Sequence, residues 1–260
     1  MRLPVVRGLI ERRILLTYRV DPAVAAALLP SPFVLQAVNG YAVAGICLIR
    51  LGQVRARGCP SWFGLSSENA AHRFAVTWQE RGETIDGVYI PRRDTSSRLN
   101  ALVGGRIFPG FHHHARFQVR ESSHRWQVAL MSDDAAVDVA VDACPTAAWR
   151  SELFDTLENA SAFYRRGARG YSPTLHTNHY DGLELRCDEW QVTPLAVSDV
   201  RSNYFDDRRL FPSGSIAFDS ALLMRNIPHR WIGLTTLSDA CGGGASSALH
   251  EYADVATRSC

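Results

Sequence analysis

Apolar and polar residues alternate over short stretches in the first third of the chain, with turn-forming residues between the stretches. The β-rich run from Ile14 to Val20 predicts a strand. Asp21-Pro22 has the form of a helix cap followed by a proline in the first turn, and it predicts a short helix over Ala23 to Leu29. Asn39-Gly40 separates two apolar runs, which predicts a two-residue hairpin.

The middle of the chain predicts a series of antiparallel strands, each with one face on a core. Valines occupy one face of the last of these segments, and both of its aspartates lie on the other face. The predicted strands are Arg73–Trp78, Thr84–Ile90, Ala115–Arg120, Trp126–Leu130 and Val137–Asp142.

The pattern of apolar and polar residues predicts few helices. Ser97 to Val103 predicts a short helix, and Thr146 to Arg166 predicts a longer one that stops at Gly167. Further strands are expected around 183–190, 191–197 and 216–223, with another short helix before the last. Many antiparallel strands with two or three short helices indicate an α+β arrangement, mainly antiparallel β, in which the sheet curls or closes into a barrel.

A single domain over residues 1–240 is expected, because no linker, repeat or low-complexity tract divides it. The Gly- and Ser-rich stretch that starts at Cys241 predicts a loosely ordered tail over residues 241–260.

The composition of the chain excludes several classes of function. All 28 basic residues are arginine, so no lysine amine is present to form a Schiff base. The net charge of +2 is spread along the chain, which predicts no nucleic-acid partner. No apolar run is long enough for a membrane span, and no signal peptide is visible, so we expect a cytoplasmic protein without a membrane partner. The six scattered cysteines are expected to be reduced thiols.

Three consecutive histidines are the most unusual local feature. In a strand, His112 and His114 share one face and His113 takes the other. His112 with His114 and His176 with His179 form two pairs of potential metal ligands, but neither pair carries a carboxylate signature. We therefore predict no metal and no other cofactor.

Several arginines and one glutamate are the remaining candidates for residues of a functional site. Arg92-Arg93 can grip a carboxylate or phosphate, although a capped helix start with solvated arginines explains the same stretch. Arg98 and Arg106 flank the predicted apolar helix as candidate anion ligands. Glu68 precedes an apolar strand, where desolvation suits a general acid or base.

The order of these pieces resembles the acetoacetate decarboxylase-like superfamily. The opening strand, helix and Pro-x-Pro over Tyr18–Phe33 are similar to its N-terminal part, and Asp94–Ala115 is similar to the part that carries Gly-Arg-Glu and Gly-aromatic-Pro-Lys-Lys. Five further segments resemble the YqjF-like branch of that superfamily: Gly45–Arg50, Ser66–Asn69, Gly170–Pro173, Asp181–Leu185 and Asp219–Arg225.

This resemblance implies a cone-like antiparallel β-barrel around a cavity for a small carbonyl or carboxylate compound. The lysine pair of the decarboxylases falls near His113 and His114, their glutamate near Glu68, and their N-terminal arginine near Arg12 or Arg13. Because the chain has no lysine, the Schiff-base mechanism of the decarboxylases is excluded.

Two functions remain open. One is a lysine-independent enzyme for a small carbonyl, carboxylate or polyketide-like metabolite of secondary metabolism, working by dehydration, cyclisation or an aldol-type lyase step. Glu68, His113 and His114 are then the catalytic groups, and Arg12, Arg13, Arg98, Arg106 and His112 bind the substrate. The other is a non-catalytic protein that binds or senses a small acid. Both have a small-molecule ligand, and a homo-oligomer is left open.

Overall fold

The computed structural model describes residues 5–56, 58, 60, 62, 64–103 and 110–238. Strands dominate this part of the chain, and its helices are short. In chain order the elements are β1 (Val6–Val20), α1 (Pro22–Ala27), β2 (Val34–Leu35), β3 (Ala37–Val38), β4 (Tyr41–Ala56), β5 (Leu65–Glu80), β6 (Glu83–Thr95), α2 (Arg98–Val103), β7 (His113–Glu121), β8 (Trp126–Ser132), β9 (Asp138–Pro145), α3 (Leu157–Arg166), β10 (Arg169–Pro173), β11 (His179–Cys187), β12 (Thr193–Ser202), α4 (Asn203–Asp206), β13 (Ile216–Gly233) and β14 (Leu237–Ser238).

The sheet curls until it closes on itself. β1 lies between β13 and β4, β5 and β6 follow β4, and β10 and β11 lead from β6 back to β13. These seven strands form a closed ring. The β6–β10 and β6–β7 pairings are parallel, and most of the others are antiparallel. The prediction of an α+β fold with a curled, mainly antiparallel sheet is confirmed.

Alternation along the long strands gives each of them two buried faces. One face, with Ile14 and Leu16 of β1, packs into a large apolar core shared with β8 and β9. The opposite face, with Leu15 of β1 and Cys47 of β4, packs against α3 and contributes to a second cluster. The shared strands therefore form a wall between two interiors, which explains why they are apolar on both sides.

The predicted turn and cap at the start of the chain are confirmed. Val38 pairs with Tyr41 across the Asn39-Gly40 turn, where both turn residues have positive φ, as the tight hairpin requires. The Asp21 carboxylate accepts from the backbone N–H groups of Ala23 and Val24 and so caps α1.

The long helix predicted from Thr146 is wrong over its first half, because α3 begins only at Leu157, with Thr156 as its cap. Before it, the Asp219 carboxylate accepts from the backbone N–H of Glu152 at 2.7 Å and from that of Leu153 at 3.2 Å. The Ser151 hydroxyl donates to the same carboxylate. These bonds satisfy the backbone without a helix.

The predicted tail, residues 241–260, lies outside the described residues, so the division into domain and tail stays a prediction. Among the described residues, no helix combines the length and the apolar character that crossing a membrane requires.

Candidate functional site

A cavity of about 490 Å³ opens inside the ring. All seven ring strands contribute to its lining, and Leu99 and Asn100 of α2 border it as well. Most of the lining is apolar, with Ile49, Leu185 and Trp231 among the larger side chains. An apolar cavity of this size with a few convergent polar groups is typical of a site for a small ligand.

Four arginines line this cavity. Arg55 of β4 donates to the backbone carbonyl of Gln53, and the other three are Arg13 of β1, Arg73 of β5 and Arg93 of β6. Arg13 and Arg73 are buried. Within the described part of the chain, none of the three forms an ion pair with a carboxylate. Arg93 donates from Nε to the Ser172 hydroxyl at 2.8 Å, and Arg73 stacks over the Tyr164 ring at 5.1 Å.

Burial acts on the charge of these arginines. It lowers the pKa of Arg73, and it lowers the pKa of Arg93 to about 10, which leaves the Arg93 guanidinium protonated at neutral pH. The Nη2 of Arg73 is buried and has no hydrogen-bond partner among the described residues. A buried charge without a counter-ion is costly, so an anion bound beside Arg73 would offset part of this cost.

Cys47 of β4 lies among these arginines. Arg13 Nε donates to Cys47 Sγ at 3.3 Å. Burial raises the pKa of the Cys47 thiol, but Arg13, Arg73 and Arg93 lower it by more, so the net shift is downward. The thiolate is thereby favoured.

His112 supplies a neutral polar group to the cavity. Burial, with Arg93 as a further cause, lowers the pKa of His112 to about 3. Its Nδ1 lies 3.1 Å from the carbonyl oxygen of Gly110, and because a carbonyl only accepts, Nδ1 carries the proton. Nε2 then carries no proton and can accept a hydrogen bond from a hydroxyl or N–H group of a ligand.

The structure places the other predicted site residues elsewhere. Glu68 does not line the cavity; it accepts from Arg12 Nη2 and from Arg50 Nη1 on the opposite face of the wall. Arg12 is almost fully buried there, between Glu68 and Glu121. The structure therefore brings Arg13 and His112 together in the cavity, but not Glu68 or Arg12.

His113 and His114 also lie outside the cavity lining. The Nδ1 of His113 is 3.2 Å from an Asp134 carboxylate oxygen, and the Nδ1 of His114 is 2.7 Å from one of Asp133. Arg98 is exposed at the start of α2, next to the lining residue Leu99, and Arg106 lies outside the described residues. The catalytic and binding roles given to these residues stay predictions.

The described residues contain no group of three His, Cys, Asp or Glu side chains placed to share a metal ion. The two histidine pairs therefore do not combine into a ligand set in this part of the chain.

Sequence reasoning missed Arg73 and Cys47. Arg73 follows His72 in a strand, and alternation places the two side chains on opposite faces, but nothing in the sequence shows which face borders a cavity. Arg93 was identified as part of an arginine pair. It lies in a strand, while Arg92 takes the opposite face and binds Asp94 and Asp134.

Solved structures with the same fold are acetoacetate decarboxylase-like proteins. The enduracididine biosynthesis enzyme MppR complexed with pyruvate aligns over 92% of this chain and 91% of its own, with 12% identity and a TM-score of 0.60. The acetoacetate decarboxylase from Legionella pneumophila aligns over 92% and 89%, with 14% identity and a TM-score of 0.60. An acetoacetate decarboxylase-like enzyme from Sphingomonas wittichii aligns over 90% and 93%, with 12% identity and a TM-score of 0.57.

These likenesses confirm the fold of the acetoacetate decarboxylase-like superfamily and, at this identity, nothing finer. No curated protein matches the sequence significantly. The family model of DUF2071, described as an uncharacterized conserved protein (COG2071), matches residues 10–218. That span is most of the chain, and the resemblance to the YqjF-like branch agrees with it. The chain thus has the fold of acetoacetate decarboxylase-like proteins and is a member of the DUF2071 family.

Proposed function

We propose that this protein is an enzyme that binds a small 2-oxo carboxylate in the ring cavity and acts on it without a Schiff base. The observation that carries the proposal is the set of three arginines, Arg13, Arg73 and Arg93, which line one cavity and have no carboxylate partner among the described residues. Guanidinium groups bind carboxylates with paired hydrogen bonds, and a desolvated site strengthens them.

The composition of the cavity supports a substrate with one charged end and one polar group. The arginines hold the carboxylate, and the neutral His112 accepts a hydrogen bond from a hydroxyl or enol. The apolar side chains Ile49, Leu185 and Trp231 accommodate the carbon skeleton and exclude water. Guanidinium groups close to a carbonyl also stabilise the enolate that forms when a proton leaves the adjacent carbon.

The solved relatives suggest which probe to use. MppR has been crystallised with pyruvate and with the condensation product of pyruvate and imidazole 4-carboxaldehyde. An aldol-type condensation of a 2-oxo acid with an aldehyde is therefore the reaction class to test first here.

Calorimetric titration with pyruvate tests the binding step. We expect pyruvate to bind to the wild type, methyl pyruvate to bind at least about tenfold more weakly because it lacks the charge, and Arg73→Met to abolish binding of pyruvate. Arg116→Met is the matched control, since the Arg116 side chain is 86% exposed. Equal binding of pyruvate and its methyl ester would overturn the assignment of an anion site.

Proton NMR of the protein with pyruvate and imidazole 4-carboxaldehyde tests the chemical step. New resonances of a condensation product, absent with Arg73→Met, support an enzyme. Pyruvate binding with no product from this aldehyde or from a panel of aliphatic and aromatic aldehydes would overturn the enzyme assignment and favour the non-catalytic small-acid-binding protein.

A further inference from the structure

The proposed binding of a 2-oxo acid and the stabilisation of its enolate do not involve Cys47. It lies in the middle of β4, is 7% exposed, and faces the same cavity as the three arginines. Its sulphur accepts from Arg13 Nε at 3.3 Å. A cysteine that only fills space in a core has apolar neighbours alone, whereas this one belongs to the second apolar cluster and also accepts a hydrogen bond from a guanidinium group.

The surroundings of Arg73 are a second, independent observation that favours an anion beside the Cys47 sulphur. Arg73 is 94% buried, since its exposed fraction is 6%, and its Nη2 has no hydrogen-bond partner in the described part of the chain. One thiolate balances at most one of the three guanidinium charges. Positive charge therefore remains in the cavity, next to the nucleophile, for a second anion.

We propose that Cys47 is the nucleophile of this cavity and adds covalently to small carboxylates whose electrophilic carbon is adjacent to the carboxylate. This proposal rests on the proposed function, because it assigns the same cavity to 2-oxo acids. The chain has no lysine amine to compete for the role, and a thiolate is the strongest nucleophile among the side chains available at neutral pH.

The addition step is balanced without another reactant. A sulphur lone pair of the thiolate forms the S–C bond to the carbonyl carbon of the 2-oxo acid. The π pair of the C=O bond moves to oxygen, which becomes an alkoxide, and no group leaves. The alkoxide oxygen is two bonds from the sulphur that Arg13 contacts, so the Arg13 guanidinium is placed to stabilise it.

Alkylation with iodoacetate and iodoacetamide tests the proposal without knowledge of the substrate. In both reactions the sulphur displaces iodide, but iodoacetate carries the carboxylate beside the reacting carbon. We expect native Cys47 to react at least about tenfold faster with iodoacetate than with iodoacetamide, as followed by peptide mass spectrometry. Exposed Cys144 in the same molecules is the internal control and should show no such preference.

Variants connect the preference to the arginines. Arg73→Met and, separately, Arg93→Met should remove the iodoacetate preference at Cys47 and leave Cys144 unchanged, while Arg116→Met should change neither. Failure of Cys47 to react, or a ratio no higher than that of Cys144 in folded wild-type protein, would overturn the proposal.

A further variant separates this proposal from the proposed function. Cys47→Ser should still bind pyruvate in the calorimeter, while the wild type alone converts the carbonyl carbon of [2-¹³C]pyruvate to a saturated carbon bonded to sulphur, which ¹³C NMR distinguishes from the hydrate of free pyruvate. If both proteins bind pyruvate and neither shows the saturated carbon, the nucleophile is wrong and the binding function stands. If neither binds pyruvate, the proposed function itself fails.

Discussion

In two pairs of consecutive arginines, one side chain binds carboxylates and the other lines the cavity. Arg92 and Arg93 are neighbours in β6, yet Arg92 binds two aspartates on one face, and Arg93 lines the cavity on the other. Arg12 and Arg13 of β1 divide in the same way, with Arg12 between two glutamates and Arg13 beside Cys47. In each set one arginine pairs with carboxylates, and the other has no carboxylate partner among the described residues.

The pairing of Arg12 leads to a prediction about Glu68. Glu68→Gln removes one of two carboxylates from a buried guanidinium, and we expect it to lower the free energy of unfolding by about 2 kcal/mol. Urea unfolding at pH 7.5 measures the loss. Glu121→Gln is the matched control and should cost less, because Glu121 is more exposed than Glu68. Unchanged stability together with lost turnover would instead support the catalytic role that the sequence resemblance gives to Glu68.

His72 makes the stability depend on pH. Burial, with a contribution from Arg92, lowers the pKa of His72 to about 3. The unfolded chain takes up a proton below about pH 6.5 while the folded protein keeps this imidazole neutral, so stability falls as the pH drops from 6.5 towards 3. At pH 5 the loss from His72 is about 2 kcal/mol.

Urea unfolding at pH 7.5 and pH 5.0 checks this dependence. His72→Gln should lose about 2 kcal/mol less than the wild type between the two pH values, whereas the exposed His124→Gln should lose as much as the wild type. Equal losses in all three proteins would show that His72 is not kept neutral by the fold.

At the scale of residues, the sequence shows which types of side chain are available for chemistry, but not which of them line the cavity. It shows from composition that no lysine amine is available for a Schiff base, and it predicts arginines as anion ligands from their pairing and from the family resemblance. It does not find Arg73 or Cys47, because alternation predicts two faces for β4 and β5, and both faces are buried. Which buried face borders a cavity depends on strands that are distant in sequence, such as β11 and β13.

Among the elements, α3 and the segment before it show how tertiary contacts set helix length. The apolar pattern from Thr146 onwards predicts helix, but Asp219 of β13 holds the backbone of Glu152 and Leu153 in another conformation. The hairpin at Asn39-Gly40 and the cap at Asp21 were predictable, because their determinants lie within a few residues of one another. The start of α3 was not, because its determinant lies more than sixty residues away.

The anchoring of this segment is testable. Asp219→Ala removes four hydrogen bonds, two of them from backbone N–H groups, and we expect it to lower the free energy of unfolding by about 2 kcal/mol. Thermal unfolding followed by circular dichroism measures the change. Asp199→Ala is the control, because Asp199 is exposed and its nearest cation is 3.8 Å away. If both variants unfold like the wild type, Asp219 does not hold the segment.

In the molecule as a whole, the wall of long strands separates the large apolar core from the cavity. One side of the wall carries the large apolar core, in which Phe74 and Phe211 are fully buried. The other side carries the cavity, whose arginines have no carboxylate partner among the described residues. Desolvation of such charges lowers stability, so we expect the two faces of the same strands to contribute to stability with opposite signs.

Two substitutions with opposite expected effects test this separation. Phe211→Leu should lower the free energy of unfolding by about 2 kcal/mol and leave pyruvate affinity unchanged, because it reduces packing on the core side only. Arg73→Met should raise the free energy of unfolding of the ligand-free protein by about 1 kcal/mol while abolishing pyruvate binding, since it replaces a buried charge with an apolar chain. Urea unfolding without carboxylate buffers, paired with calorimetry, measures both quantities. A loss of stability in Arg73→Met would show that the contact of Arg73 with the Tyr164 ring and its attraction to Cys47 outweigh the desolvation of its charge. The buried charges of the cavity would then not reduce the stability of the protein.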